Sequence, residues 1–299
     1  MAPRKQNPPR DQHFLARIYQ SGFVNERGLI YVLDTKCDSI RELHPKVNAK
    51  QKDNHTINHG SEANRYWFER VLSRIEGLFA EAKRALAPEY LPSIEHHSAI
   101  HIFMAWQAVR VPAFQAVSER YARAKFGQLL ATASSGEREG IEQSLSNLDA
   151  KQDIALPTMK PLADKLMADF AMRKNTFVWS NGEPFVTCDN PVTVFTSHGH
   201  LSEIFGVSDS TVIFPLTSRC LLLVQGPKDM RVSGSAGDSA VSFFNSMICA
   251  NRHRFVYAQT EEILQRIRGQ DSLAVIQRGY EEYRKAGFSF PAPVMVPLP

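Results

Sequence analysis

In the stretch EPFVTCDNPVTVF, residues 183–195, a run of strand-forming residues stops at Cys188-Asp189-Asn190-Pro191 and then resumes. A carboxylate at a strand end over a cleft can hold a cation or move a proton, and here an Asn190 amide stands beside it. The same residues also form a self-sufficient turn. Asp accepts from its own backbone two residues on, and a residue before proline is pushed to extended geometry. His13, between Gln12 and Phe14, adds an imidazole fit for a general base or a neutral metal ligand, and equally for capping a turn.

Glu69 and Glu76 are two helical turns apart and project to nearly the same side of one helix. Gln107 and Arg110 also share a face, which leads into Pro112. Arg110 lies among Met104, Trp106 and Val109, so it needs a buried anionic partner: Glu69, Glu76, Asp189 or a ligand phosphate. A helix glutamate joining Asp189 and His13 would make a carboxylate–histidine set of the kind that holds Mg²⁺ or Mn²⁺. Arg110 would then stabilise developing phosphate charge. The expected chemistry is metal-dependent phosphodiester hydrolysis, a nuclease acting on nucleic acid or a nucleotide in defence or as a toxin. The alternative is a non-catalytic module that binds a nucleotide or a protein. Convergence of the carboxylates separates the two. An Arg110 spent on Glu69 or Glu76 and an Asp189 spent on a turn favour binding.

Other candidates carry less. His97 and His101 have i,i+4 spacing but no His-Glu-x-x-His pattern, and His55 and His59 repeat that spacing in a poorly structured stretch. Packing or solvation explains both pairs, and the His198-Gly199-His200 run reads as loop. There is no Gly-x-Gly-x-x-Gly, Walker loop or Gly-x-Ser-x-Gly. GSAGDSA, residues 234–240, reads as a loop with Asp238 or Ser239 capping a helix whose Val241, Phe244 and Ile248 are core.

The elements that must position these groups follow from pattern. Ser61 is placed to cap a helix to about residue 87, with Trp67, Val71, Ile75 and Leu78 at three- and four-residue spacing. Ser93 opens a longer helical stretch that Pro112 kinks or divides. A short helix is expected at 140–149 and another helix at 158–174. GLIYVLD reads as a strand, and 35–60 as a broken, exposed connection. Asn181-Gly182 between apolar runs is a hairpin signal; PVTVF, STVIFPLT, RCLLLVQG and RFVYAQ are further strands. Helices at 237–251 and within 260–286 close the chain. The order predicts an α+β fold, a helical middle segment packed against a mostly antiparallel sheet of N-terminal and C-terminal strands. One domain is expected over 11–299, with a helical lobe at about 60–174 and a β-rich lobe at about 175–286.

The 299 residues carry a net charge of +4, mildly basic and far from the loading of a dedicated nucleic-acid binder. Arg4, Lys5 and Arg10 with three prolines make residues 1–10 a basic tail, expected to be disordered. No signal peptide is expected at the N-terminus, and no segment approaches the roughly 20 apolar residues that span a bilayer. Four cysteines without a Cys-x-x-Cys pair suit reduced thiols in a cytoplasmic protein.

Several segments together resemble a known bacterial family. QHFLARIYQSGF at 12–23 is similar to its Gln-His-x-x-x-x-x-Tyr-Leu-x-x-Phe opening, and FERVLSRIE at 68–76 to its Glu-x-x-Leu-x-x-Ile-Glu helix. MAWQAVRVPAF at 104–114 resembles its Gln-x-x-Arg-x-Pro segment, FVTCDNPV its Ser-Asp-x-Pro hairpin end, and FPLT its Pro-Leu-Ser/Thr strand. LIYVLD and FNSMICANRHRFVYA fit in order, so the resemblance to domain-of-unknown-function family 4238 runs over about residues 10–260. Cys188 replaces the usual serine, so that position is no obligatory serine nucleophile. Ala16-Arg17 replaces the proline-containing form of the opening. The resemblance implies which positions to suspect and supplies no activity.

Overall fold

A computed structural model of the chain describes residues 11–58, 66–88, 90–195, 210–226, 231–270 and 274–275. The basic segment 1–10, His59, Ser61 and the 198–200 run lie outside the described residues.

The chain opens with β1 (Asp11–His13), α1 (Arg17–Gln20), β2 (Ile30–Asp34), β3 (Ser39–Leu43) and β4 (Lys50–Lys52). The helical middle follows: α2 (Trp67–Arg84), α3 (Ile94–Val109), α4 (Pro112–Thr132), α5 (Ser135–Ser146), a π-helical turn at Ala150–Ala155 and α6 (Leu156–Ala171). Then come β5 (Lys174–Ser180), β6 (Thr187–Cys188), β7 (Thr193–Phe195), β8 (Thr211–Thr217), β9 (Cys220–Gln225) and β10 (Arg231–Ala236). Helix α7 (Asp238–Ala250), β11 (Phe255–Ala258) and α8 (Glu261–Gly269) complete it. The fold is α+β.

Local chemistry sets several boundaries. Ser93 caps α3, its hydroxyl accepting from the His96 amide at 3.2 Å. Pro112 occupies the first turn of α4, where its missing N–H costs nothing, so the proline divides the long apolar stretch into two helices. Leu221 and Leu223 of β9 face one side of their sheet, and Leu222 and Val224 the other.

Three sheets result. β1 pairs with β4, and a four-stranded antiparallel sheet runs β3-β2-β11-β6, joining N-terminal to C-terminal strands. A five-stranded sheet runs β10-β5-β9-β8-β7, with β10 parallel to β5 and the other pairs antiparallel. One face of it packs with α2, α3 and α6 around Tyr19, Phe79, Phe103 and Phe214. Phe79 and Phe103 stack at 3.8 Å between centroids. The other face buries α7 and α8 with Phe185, Phe243 and Val256.

Four expectations change. GSAGDSA is not wholly a loop, because its Gly234-Ser235-Ala236 pair with β5 as the end of β10. Asn181-Gly182 does not close a hairpin: β5 pairs with β9 and β10, whereas β6 joins β11 in the other sheet. The turn is instead held by Asp238, whose carboxylate accepts from the Glu183 amide at 2.9 Å. For that reason Asp238 does not cap α7; Gly237 occupies the cap. The stretch 35–60 is not simply an exposed connection. It forms β3 and β4 and buries Asn54, His55 and Thr56.

Candidate functional site

The polar centre lies where β1 and β4 meet α2 and α3. Pairing of His13 with Lys50, and the Phe14 amide donating to the Ala49 carbonyl at 3.0 Å, fix β1 in place. Alternation turns Gln12 inward. Its amide donates to Thr56 Oγ1 at 2.9 Å, and its carbonyl oxygen accepts from the His55 backbone. Gln152, in the π-helical turn, grips the same segment by donating to the Thr56 carbonyl and accepting from the Asn58 amide, both at 2.9 Å.

His55 is fully enclosed. Its Nδ1 lies 3.4 Å from Glu69 Oε1, and Asn54 Nδ2 lies 2.8 Å from Nε2. Nε2 also lies 3.2 Å from the Arg110 carbonyl, so the ring bridges Glu69 and the end of α3. Burial lowers the imidazole's pKa, partly offset by Glu69.

Arg110 follows the last turn of α3. It donates from Nη1 to Glu76 Oε1 at 2.8 Å and from Nη2 to the His13 carbonyl. Its Nε is buried without a partner. One turn earlier, Gln107 donates to the Phe14 carbonyl at 2.8 Å and leaves Oε1 unpartnered. His13 Nδ1 is likewise buried without a partner. Burial lowers the His13 pKa; the Asn48 backbone raises it, and the Arg110 and Arg17 charges lower it further. Glu76 keeps 28% of its side chain exposed.

Arg110 thus joins Glu76 to the His13 backbone, Gln107 holds the adjoining Phe14 carbonyl, and Glu69 connects through His55 to the Arg110 carbonyl. Asp189 does not join them. Its carboxylate is buried and accepts from the His253 and Arg254 amides at 2.8 Å and the Phe255 amide at 3.0 Å. Burial raises its pKa, and those three amides oppose the rise. The expected convergence of Asp189 with a helix glutamate and His13 fails because those amides absorb the acid's lone pairs. Asn190 is similarly engaged: it donates to the Asn251 carbonyl at 3.1 Å and its own carbonyl accepts from Asn251 at 2.7 Å. The Cys188 thiol is buried, its pKa raised by burial, and it donates to the Asn190 carbonyl at 3.1 Å.

Among the described residues, no three His, Cys, Asp or Glu side chains come together as a metal-ligand set. The His97 and His101 rings lie 4.2 Å apart between centroids, tilted by 58°, and His101 Nε2 meets Asn175 Oδ1 at 2.9 Å. Two groups gain roles that the sequence does not assign them. His55 had only its i,i+4 spacing to His59 as a signal. Asp34, at the end of β2, takes a two-pronged contact from Arg254 at 2.9 and 2.6 Å, which holds its carboxyl well below the usual range. An acid ending an apolar strand was the available hint.

Residues 11–262 match the family described as a protein of unknown function, DUF4238. The chain is a member of the DUF4238 family. The match spans both the His13–Arg110 corner and the Asp189 staple, so the family region contains every candidate residue of this DUF4238 protein. No curated protein and no solved structure matches it. No helix among the described residues is long and apolar enough to cross a membrane.

Proposed function

We propose that the corner formed by His13, Gln107 and Arg110 binds a phosphate-bearing ligand of nucleotide type without catalysing its turnover. One observation supports this reading above others. Arg110 Nε, Gln107 Oε1 and His13 Nδ1 lack partners although Gln107 and Arg110 are 0% and 3% exposed. Buried polar groups are normally satisfied, and each unmet one costs roughly 1–3 kcal/mol. A guanidinium N–H and an imidazole suit phosphate oxygens, and the amide oxygen suits a donor on the same ligand. Arg17 adds positive charge near His13, while Glu76 moderates it.

Metal-dependent phosphodiester hydrolysis is the second reading. It is favoured by Glu69 and Glu76, each with 28% of its side chain exposed on one helix beside these histidines. Mg²⁺ or Mn²⁺ would be held there, with nucleic acid as substrate and no part for Asp189. The test combines thermal-shift titrations of nucleoside mono-, di- and triphosphates with cleavage assays on labelled RNA, single-stranded DNA and duplex DNA. The cleavage assays are run with Mg²⁺, with Mn²⁺ and with EDTA. Binding predicts that a nucleotide stabilises the wild type, that His13→Ala and Gln107→Leu weaken this, and that no substrate is cut. Cleavage abolished by EDTA and by Glu69→Gln would establish the second reading. A flat response to every nucleotide would remove the first.

A further inference from the structure

Helices α4 and α5 form a hairpin with little beneath it. After Ala133 and Ser134 turn the chain, α5 runs back along α4 to the π-helical turn, which itself packs on α4. Between residues 119 and 146, Ala122 alone is buried. Phe126 and Leu130 of α4 and Ile141 and Leu145 of α5 are half covered and stand outside both cores. Helices draw most of their stability from packing an apolar face, and two alone enclose no core, whereas four do.

The hairpin carries two features that fit each other. Tyr121, Lys125 and Leu129 recur every four residues along α4, with the Lys125 ammonium 5.6 Å from the Tyr121 ring centroid. Tyr121 and Leu129 are 59% and 53% exposed, so this stripe is a ridge of large apolar groups in water. On α5, Gly136 and Gly140 share a face, and a Cβ added to either would meet no atom within 4 Å. Glycine weakens a helix, and here it leaves an open groove. Counting round the antiparallel helices from the half-covered Phe126 and Ile141 puts ridge and groove on the same side of the hairpin. Charge follows the same division. In its outer part α4 has Arg120, Arg123 and Lys125 against Glu119, and α5 has Glu137, Glu139 and Glu142 against Arg138. Arg123 pairs within α4, with Glu119, and no ion pair among the described residues joins α4 to α5.

We propose that two copies of this chain dimerise through the α4–α5 hairpin, making a four-helix bundle. A two-fold axis along the hairpin seats the Tyr121–Leu129 ridge of each copy on the glycine groove of the other, and the same contact sets basic α4 against the partner's acidic α5.

Sedimentation velocity on the full chain across the micromolar range tests this. The wild type should reach twice the chain mass, and added salt should weaken the association. Leu129→Glu changes an exposed side chain and Gly140→Gln adds one into open space, so both variants should keep the wild-type far-UV spectrum. Each should weaken dimerisation roughly tenfold or more. Met172→Glu, equally open to solvent but at the end of α6, should leave it unchanged. A wild type that stays monomeric overturns the proposal; if that monomer shifts labelled RNA, the basic α4 serves nucleic acid instead. A dimer that both hairpin variants leave intact is built on another surface and overturns it equally.

Discussion

Asp189 and Phe255 exchange hydrogen bonds in both directions. The Asp189 amide donates to the Phe255 carbonyl at 3.1 Å, and the Phe255 amide returns a bond to the Asp189 carboxylate at 3.0 Å. With the His253 and Arg254 amides also bound, the acid fixes the entry to β11 and so joins β6 to the sheet. Arg254 then extends its side chain to Asp34. Two acids from distant strands thereby hold one short segment.

Replacing Asp189 by Ala should lower stability by about 3 kcal/mol or more, since three buried donors lose a charged acceptor. Asp189→Asn, which keeps one acceptor, should cost less. Denaturant unfolding checks both. Nucleotide binding at the His13 corner should survive in the folded fraction of Asp189→Asn; its selective loss would return Asp189 to the site.

The Arg110–Glu76 pair should couple energetically. Glu76→Gln leaves a buried guanidinium with fewer partners and should cost about 2 kcal/mol. Arg110→Met together with Glu76→Gln should cost less than the sum of the single changes by about 1 kcal/mol or more. Additive costs in the cycle would show that the 2.8 Å contact contributes little.

Acid should weaken the fold through His97. Burial first, then the His101 and Arg231 charges, lower its pKa from 6.5 to about 4. The unfolded chain therefore takes up this proton before the folded one. Stability is fully present above about pH 6.5 and falls as pH drops towards 4, by about 2 kcal/mol for this group after allowance for solvent. Burial lowers His13 and His55 in the same direction. Urea midpoints at neutral pH and about pH 5 would show the loss, and His97→Gln should make the slope shallower. An unchanged slope in that variant would count against His97.

Thiol reactivity should divide sharply. Cys188, Cys220 and Cys249 are buried and Cys37 is exposed. Burial pushes the Cys249 thiol up to about 12, so little thiolate exists there at neutral pH. A disulfide reagent should titrate one thiol in the native protein and all four after denaturation. More than one fast native thiol would show that a buried cysteine is accessible.

The sequence by itself determined the elements whose causes are local. Ser93 and Pro112 mark helix ends because a side-chain acceptor and a missing N–H act within one turn. The spacing of Trp67, Val71, Ile75 and Leu78 marked α2 as amphipathic, but packing shifted the buried face to Phe68, Leu72, Ile75 and Phe79 and left Leu78 exposed. The pairing of Arg110 with an acid was legible too, because a guanidinium among apolar neighbours requires one. Only the tertiary structure decided which acid. It sent Glu76 to Arg110, Glu69 to His55 and Asp189 to three amides more than sixty residues away. It also left Asn181-Gly182 as a turn between two sheets rather than a hairpin. The reason is range. Propensity and capping are settled among near neighbours, whereas a polar group's partner is set by which distant backbone the packed core brings within three ångströms.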